Sequence, residues 1–332
     1  METVFICNLC GSASSDFMFT AEDHYSGERF SLTRCHHCGC TYTNPRPTST
    51  ELSKYYPSAY YGIDGQRFRG GLEKVVRFFR QQLADKICQQ YPGRGRVLEV
   101  GSGRGTLLAE LVRRGWQAVG TEYSVEMAQA SFNNLGVKVF PAPDLLQCQF
   151  ESGSFEVVVC YHVLEHLPTP LETLSEISRI IHPKGLLIIA VPNFGGLVSR
   201  LSQKNWFALD VPRHLYHFTP TTLTEILDRT GFKISQSTTL SLEQDIFGFA
   251  QSCLNMAGLP FNILYDLIRS PQARLRHQAT PFKYWTHLSN LLVLAIGGGL
   301  GLLGLPITTL AALVGQGGTL ECWAKPNTSE IV

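Results

Sequence analysis

At 332 residues the chain is long enough for a full catalytic domain and one small accessory module. A formal charge of +1 gives no global electrostatic reason to expect a nucleic-acid partner, and the composition is that of an ordinary globular protein. The opening METVFICNLC lacks a basic segment followed by an apolar one, so it does not read as a secretory signal and the expected location is the cytoplasm.

Two tight cysteine pairs come first. Cys7-Asn8-Leu9-Cys10-Gly11 and Cys35-His36-His37-Cys38-Gly39 are CxxCG knuckles with 24 residues between the inner cysteines. Each knuckle turns the chain so that two thiolates converge, and two knuckles complete a four-sulfur tetrahedral site suited to a structural zinc. Residues 1–45 are too few to bury a sufficient core, so the metal is expected to supply folding energy. Cys40, His36 and His37 stand close enough in sequence to compete as ligands.

A Pro-, Ser- and Tyr-rich connector opens the segment 46–90. Over 67–90, Leu72, Val75, Val76, Phe79, Leu83 and Ile87 recur at helical spacing, with Arg67, Arg69, Lys74, Arg77, Arg80 and Lys86 around them. This predicts a basic amphipathic helix with a solvated charged face.

From residue 91 the pattern becomes strand, glycine loop, helix. Val97, Leu98 and Val100 lead a short strand; Gly101-Ser102-Gly103-Arg104-Gly105 turns tightly; Thr106 to Arg114 has helical periodicity. A second strand ends in Glu122, 21 residues after Gly101, where a carboxylate can grip both hydroxyls of a ribose. The GxGxG spacing departs from the GxGxxG that favours pyrophosphate, and Glu99 beside the loop suits a cationic ligand.

These residues resemble the class I S-adenosylmethionine-dependent methyltransferases, with Glu99-Val-Gly101-Ser102-Gly103-Arg-Gly105 as the first motif and Glu122 as the acid that follows. GSFEVVVCYHVLEHLPTP (153–170) and HPKGLLIIAVPN (182–193) are similar to the fourth and fifth strands. The resemblance implies S-adenosylmethionine as cofactor, with Glu99 and the loop facing its methionine part, Glu122 its ribose, and Asp144 its adenine. Tyr123 and Tyr161 are placed beside it. The implied fold is a doubly wound, seven-stranded α/β sheet over 91–242, closed by the strand in 319–332, with strands expected at 97–100, 117–121, 137–140, 155–160, 185–191, 232–241 and 319–325.

Methyl transfer to a hydroxyl needs a base, and histidine is suited to this near neutral pH. His162 and His166 follow the fourth strand; His214 and His217 lie in RHLYHF after the fifth, so these four are the catalytic candidates. Some relatives bind a divalent ion through ExxEH, but here histidine replaces the first glutamate in His162-Val-Leu-Glu165-His166. A second metal is therefore not assigned. Sugar C-methyltransferases and ribosomal-RNA methyltransferases also resemble the chain in carrying an N-terminal zinc module, and both stay open as acceptor classes. A non-catalytic cofactor-binding scaffold at a membrane stays open beside them.

The segment 243–318 is a helical insertion between the last two strands. Its residues 288–314 contain no charged side chain, and Gly297-Gly298-Gly299, Gly301, Gly304 and Pro306 read as breaks. The flanking strands must lie on one side of any membrane, so the reading is an apolar hairpin that dips into the cytoplasmic face, not a span. Arg269, Arg274, Arg276 and Lys283 against Asp266, with Tyr284 and Trp285, suggest an interfacial anchor. The expected partners are the membrane surface and a lipid-linked or small-molecule methyl acceptor, with nucleic acid disfavoured; a homodimer burying the same hairpin is the competing reading.

Overall fold

The computed structural model describes residues 1–56, 68, 71–269 and 287–327. Arg67, Arg69, Arg274, Arg276, Lys283, Tyr284 and Trp285 lie outside the described residues. In chain order the strands are β1 (Ser15–Glu22), β2 (Arg29–Cys35), β3 (Thr41–Thr43), β4 (Arg96–Val100), β5 (Gln117–Glu122), β6 (Lys138–Pro141), β7 (Phe155–Tyr161), β8 (Ile181–Pro192), β9 (Tyr216–His217), β10 (Phe232–Thr238) and β11 (Thr319–Pro326). The helices are α1 (Ser49–Leu52), α2 (Leu72–Gln90), α3 (Thr106–Arg113), α4 (Val125–Leu135), α5 (Pro170–Ile180), α6 (Leu197–Ser202), α7 (Pro220–Arg229), α8 (Leu242–Met256), α9 (Ile263–Ile268) and α10 (His287–Leu313). They fall into two compact units, one of Met1–Glu73, Pro192–Pro220 and Thr238–Leu320, the other of Lys74–Val191, Thr221–Ser237 and Glu321–Val332.

The second unit is built on a seven-stranded sheet of order β10-β11-β8-β7-β4-β5-β6, in which β4, β5, β6, β7 and β8 pair in parallel. Strands buried on both faces should read as continuous apolar runs, and Val157, Val158 and Val159 of β7 and Leu187, Ile188 and Ile189 of β8 do so, all fully buried. Leu107, Leu108 and Leu111 of α3 and Leu83, Ala84 and Ile87 of α2 fill the same core. β10 and β11 are neighbours at the sheet edge, as expected, although β10 ends at Thr238 and not at 241.

The first unit holds a four-stranded sheet of order β1-β2-β3-β9. The hairpin β1–β2 pairs Ser15 with Cys35, which brings the end of the first knuckle to the start of the second. β9 joins by pairing His217 with Thr41 and Tyr216 with Tyr42. Arg213, fully buried, ties this loop inward: its Nη2 donates to Asp23 Oδ1 and Asp210 Oδ1, both at 2.7 Å, and its Nη1 to the Tyr55 carbonyl at 3.0 Å. Burial works against the ionised carboxylate of Asp210, yet the Arg213 guanidinium holds its carboxyl well below the usual range.

The apolar run corrects one expectation. It is a single continuous helix, α10, and not a hairpin, with Pro306 inside it. Gly297 and Gly304 are packing contacts: a Cβ on Gly297 would lie 2.7 Å from Leu264 of α9, and one on Gly304 would lie 2.6 Å from Phe249 of α8. Val293, Thr308 and Ala311 are buried along the same stripe. The lengthwise packing on α8 and α9 offsets the roughly 1 kcal/mol that each helical glycine costs relative to alanine, which is why the run does not break.

Candidate active site and metal centre

The glycine loop joins the end of β4 to α3. Gly101, Gly103 and Gly105 all have positive φ, and a Cβ on Gly101 would meet Val163 at 2.5 Å, so other side chains are excluded by both conformation and space. The loop is tied to β5 by Ser102 N–H donating to the Thr121 carbonyl at 2.8 Å. Ser131 of α4 donates to the Gly103 carbonyl at 3.0 Å.

Glu122 ends β5 beside this loop. Its Oε2 accepts the Gly103 N–H at 2.8 Å and its Oε1 accepts the Ser124 N–H at 3.1 Å. A carboxylate offers about four lone-pair sites, so roughly two remain for a diol. Burial raises its pKa, against the lowering effect of these N–H groups. Glu99 is also buried, and its Oε2 has no hydrogen-bond partner. Burial pushes its carboxyl up to about 8; Arg80 pulls the other way, and Glu122 adds to the rise.

The other sequence candidates are placed unevenly. Tyr161 ends β7, and its hydroxyl donates to Glu321 Oε2 at 3.2 Å. Tyr123 is exposed, and Asp144 accepts the Leu146 N–H at 3.0 Å, capping a short turn. His162, with φ of 57°, stacks edge-on with Tyr161, and its Nδ1 lies 3.5 Å from Glu165 Oε1. His166 ends the following one-turn helix, half-buried.

His214 and His217 belong to the first unit and are buried there. His214 Nδ1 sits 2.9 Å from the Ala208 carbonyl, an arrangement in which Nδ1 carries the proton and Nε2 the lone pair. His217 packs its ring against Phe194, with centroids 5.3 Å apart.

The four knuckle cysteines converge in the first unit. Their sulfurs lie within 4.8 Å of one another, with Cys7 to Cys38 at 3.7 Å and Cys10 to Cys35 at 3.5 Å. Tetrahedral zinc with bonds of about 2.3 Å separates its sulfurs by about 3.8 Å, so the four residues fit the ion. Gly11 and Gly39, both at positive φ, donate their N–H groups to the Cys7 and Cys35 carbonyls and close the two turns. Burial raises the Cys7 thiol to about 11. It acts the same way on Cys35, but the Cys38 N–H and the Cys10 thiol bring that group down to about 7. Cys40 is fully buried with its thiol 3.5 Å from the Thr41 carbonyl, and exposed His36 pairs with Asp16 at 2.9 Å.

Sequence reasoning did not single out Arg80 or Glu321 beside Tyr161; each is marked by a tertiary neighbour far along the chain.

A parallel sheet with a glycine loop after β4 and acids at the ends of β4 and β5 defines a class I S-adenosylmethionine-dependent methyltransferase domain. The two acids fit that cofactor: buried Glu99 has an oxygen open to a cation, and Glu122 keeps acceptor capacity for a ribose. The chain belongs to the methyltransferase domain family, whose model matches residues 66–237. It is 26% identical over 186 residues to a probable S-adenosylmethionine-dependent methyltransferase of Mycolicibacterium smegmatis, covering 53% of this chain and 66% of that one. It is 29% identical over 164 residues to a ubiquinone biosynthesis O-methyltransferase of Xanthomonas campestris, covering 45% of this chain and 66% of that one. The chain thus spans just under two thirds of these relatives. Among solved structures, the cyclase SpnF covers 85% of this chain and 97% of its own at 16% identity and a TM-score of 0.51, a likeness of fold alone.

Proposed function

We propose that the protein transfers a methyl group from S-adenosylmethionine to an oxygen of a lipid-linked acceptor, such as a polyprenyl-linked sugar, a glycolipid or an isoprenoid precursor, at the cytoplasmic face of a membrane. The observation that carries the cofactor reading is the pair of acids around the glycine loop. Glu122 orients the ribose while holding the loop through Gly103 N–H, and Glu99 provides a negative group for the methionyl end. When bound, the cofactor supplies a methyl already activated on a sulfonium, so the chain's remaining tasks are alignment and removal of the acceptor's proton. The base is drawn from His162, His166, His214 and His217; the tautomer fixed by the Ala208 carbonyl, which leaves Nε2 the basic nitrogen, supports His214.

The lipid-linked acceptor is supported by α10. Asn290–Leu313 is 24 residues long and apolar enough to cross a bilayer by length and composition, yet one side packs on α8 and α9. The other side exposes Leu291, Leu292, Leu302, Leu303, Leu310 and Leu313. Such a helix fits a lipid surface lying flat, with its leucine face in the interfacial region. A relative named for ubiquinone biosynthesis favours an oxygen nucleophile on an isoprenoid-type acceptor. The four cysteines hold a structural zinc in this reading. The test is flotation with anionic vesicles combined with transfer of labelled methyl groups into lipid extract; a protein that neither floats nor labels lipid defeats the acceptor assignment.

A further inference from the structure

The cysteine knuckles bracket the hairpin β1–β2, and the tip of that hairpin reaches the loop that carries His214. Asp23 stands at the tip, where its N–H donates to the Glu28 carbonyl at 2.8 Å. Its carboxylate accepts the Tyr25 N–H at 3.2 Å and the Ser26 N–H at 2.9 Å, so the turn itself aims it. Asp23 Oδ1 then accepts Arg213 Nη2 at 2.7 Å, and the Arg213 guanidinium carbon lies 4.8 Å from the centre of the Tyr25 ring. Ala21, Phe30 and Leu32 of the hairpin share one apolar core with Trp206, Leu209 and Val211, which lead into Arg213.

The second knuckle holds the other side of His214. The Cys35 N–H donates to the Cys40 carbonyl at 2.9 Å, which delivers the chain from the knuckle straight into β3. There Thr43 Oγ1 donates to the His214 carbonyl at 2.9 Å, the Thr43 N–H donates to the Leu215 carbonyl at 3.0 Å, and Tyr42 pairs with Tyr216. Within its own loop His214 is tied by its N–H to the Asp210 carbonyl at 3.0 Å and by Nδ1 to the Ala208 carbonyl at 2.9 Å. The residues on both sides of His214 are therefore fixed by segments that the four cysteines organise. A module of this size does not hold a hairpin and a short strand in place by apolar burial alone.

We propose that the zinc module is the positioning element for the proton acceptor of methyl transfer: with Cys7, Cys10, Cys35 and Cys38 closed on the ion, Asp23 and Thr43 fix the loop that holds His214 with Nε2 as its basic nitrogen. The metal touches no reactant in this arrangement, and Asp23 and Thr43 are positioning residues. Misplacing a catalytic group by about 1 Å can cost about a hundredfold in rate. The metal is therefore needed for transfer but not for the cofactor, whose glycine loop and acids belong to the second unit. This inference rests on the methyl-transfer reading above, with His214 as its base.

The experiment follows the His214 imidazole of the full-length, zinc-loaded protein by NMR of histidine labelled with heavy nitrogen, the signal being assigned by its loss in His214→Asn. Titration with S-adenosylhomocysteine and methyl transfer into a lipid extract are measured beside it. The zinc-loaded protein is expected to show a single tautomer protonated at Nδ1. Removing zinc with a chelator should average the two tautomers and lower transfer at least about a hundredfold, with S-adenosylhomocysteine affinity within about twofold. Thr43→Val, which keeps all four cysteines, should retain its zinc and lower turnover about tenfold with KM for S-adenosylmethionine unchanged, and Thr43→Ser should restore the rate. Zinc-free protein that keeps both tautomer and rate overturns the proposal. So does zinc-free protein that loses S-adenosylhomocysteine in step with turnover, because the metal then supports the fold as a whole, and so does wild-type turnover in Thr43→Val. A wild-type protein with the expected tautomer that labels no lipid rejects the acceptor reading instead, and the response of the His214 signal to chelation still decides the positioning.

Discussion

Replacing Glu122 by alanine removes an acceptor that serves two purposes. Its two oxygens hold the N–H groups of Gly103 and Ser124 at 2.8 and 3.1 Å, and their spare lone pairs face the ribose in the proposed complex. Hydrogen bonds to a charged group contribute about 1.5–3 kcal/mol, so loss of the ribose contact alone is worth roughly a ten- to hundredfold weaker affinity. Glu122→Gln keeps one carbonyl oxygen and should lose less. Folding should also lose stability, because the Gly103 and Ser124 N–H groups lose their acceptor, an effect that relief of the carboxyl's desolvation partly offsets. Titration with S-adenosylhomocysteine, alongside thermal melts of the ligand-free proteins, separates the two effects. Unchanged affinity in Glu122→Ala, or an affinity loss matched by collapse of the melting transition, refutes this account of the residue.

Glu99 predicts a proton linkage. With its carboxyl raised from 4.5 to about 8, it contributes stability that is full below pH 4.5 and is lost as pH rises through about 8. Pairing with a ligand ammonium favours the ionised form, so binding at pH 7 should release close to one proton, read from titration heats in buffers of different ionisation enthalpy; Glu99→Gln should release none, and wild-type binding without release would remove Glu99 from the ammonium. Elemental analysis should find one zinc per chain, lost in a Cys7→Ser, Cys35→Ser variant; full zinc in that variant places the metal elsewhere. His214→Asn keeps a donor near the Ala208 carbonyl but not a base, so turnover should fall at least about a hundredfold with cofactor affinity intact; wild-type turnover would strike His214 from the catalytic set. Leu303→Lys with Leu310→Lys should abolish vesicle flotation and leave S-adenosylhomocysteine binding unchanged, and continued flotation would show that α10 is not the contact. Point changes are preferable to deleting 288–314, because Val293, Thr308 and Ala311 are part of the first unit's packing.

Much of the sheet was legible because its evidence is local. The apolar runs at 97–100, 155–160 and 185–191 became β4, β7 and β8, and the glycine loop needs only its own residues to turn. The cysteine knuckles were legible for the same reason. What the sequence concealed depends on distant partners. Glycines at 297 and 304 look like helix breaks until Leu264 and Phe249 are seen to need their space. β9 is only two residues long and exists through pairing with Thr41 and Tyr42, some 175 positions earlier. Arg80 looks like any other cation on a basic helix, and only the fold puts it over Tyr161.

The most direct test is to incubate purified protein with S-adenosylmethionine labelled in its methyl group and a total membrane-lipid extract, then to follow the label. The account predicts label in the organic phase on an alkali-resistant methyl ether, dependent on Glu122. Tight cofactor binding with no label in any lipid-phase product would contradict it.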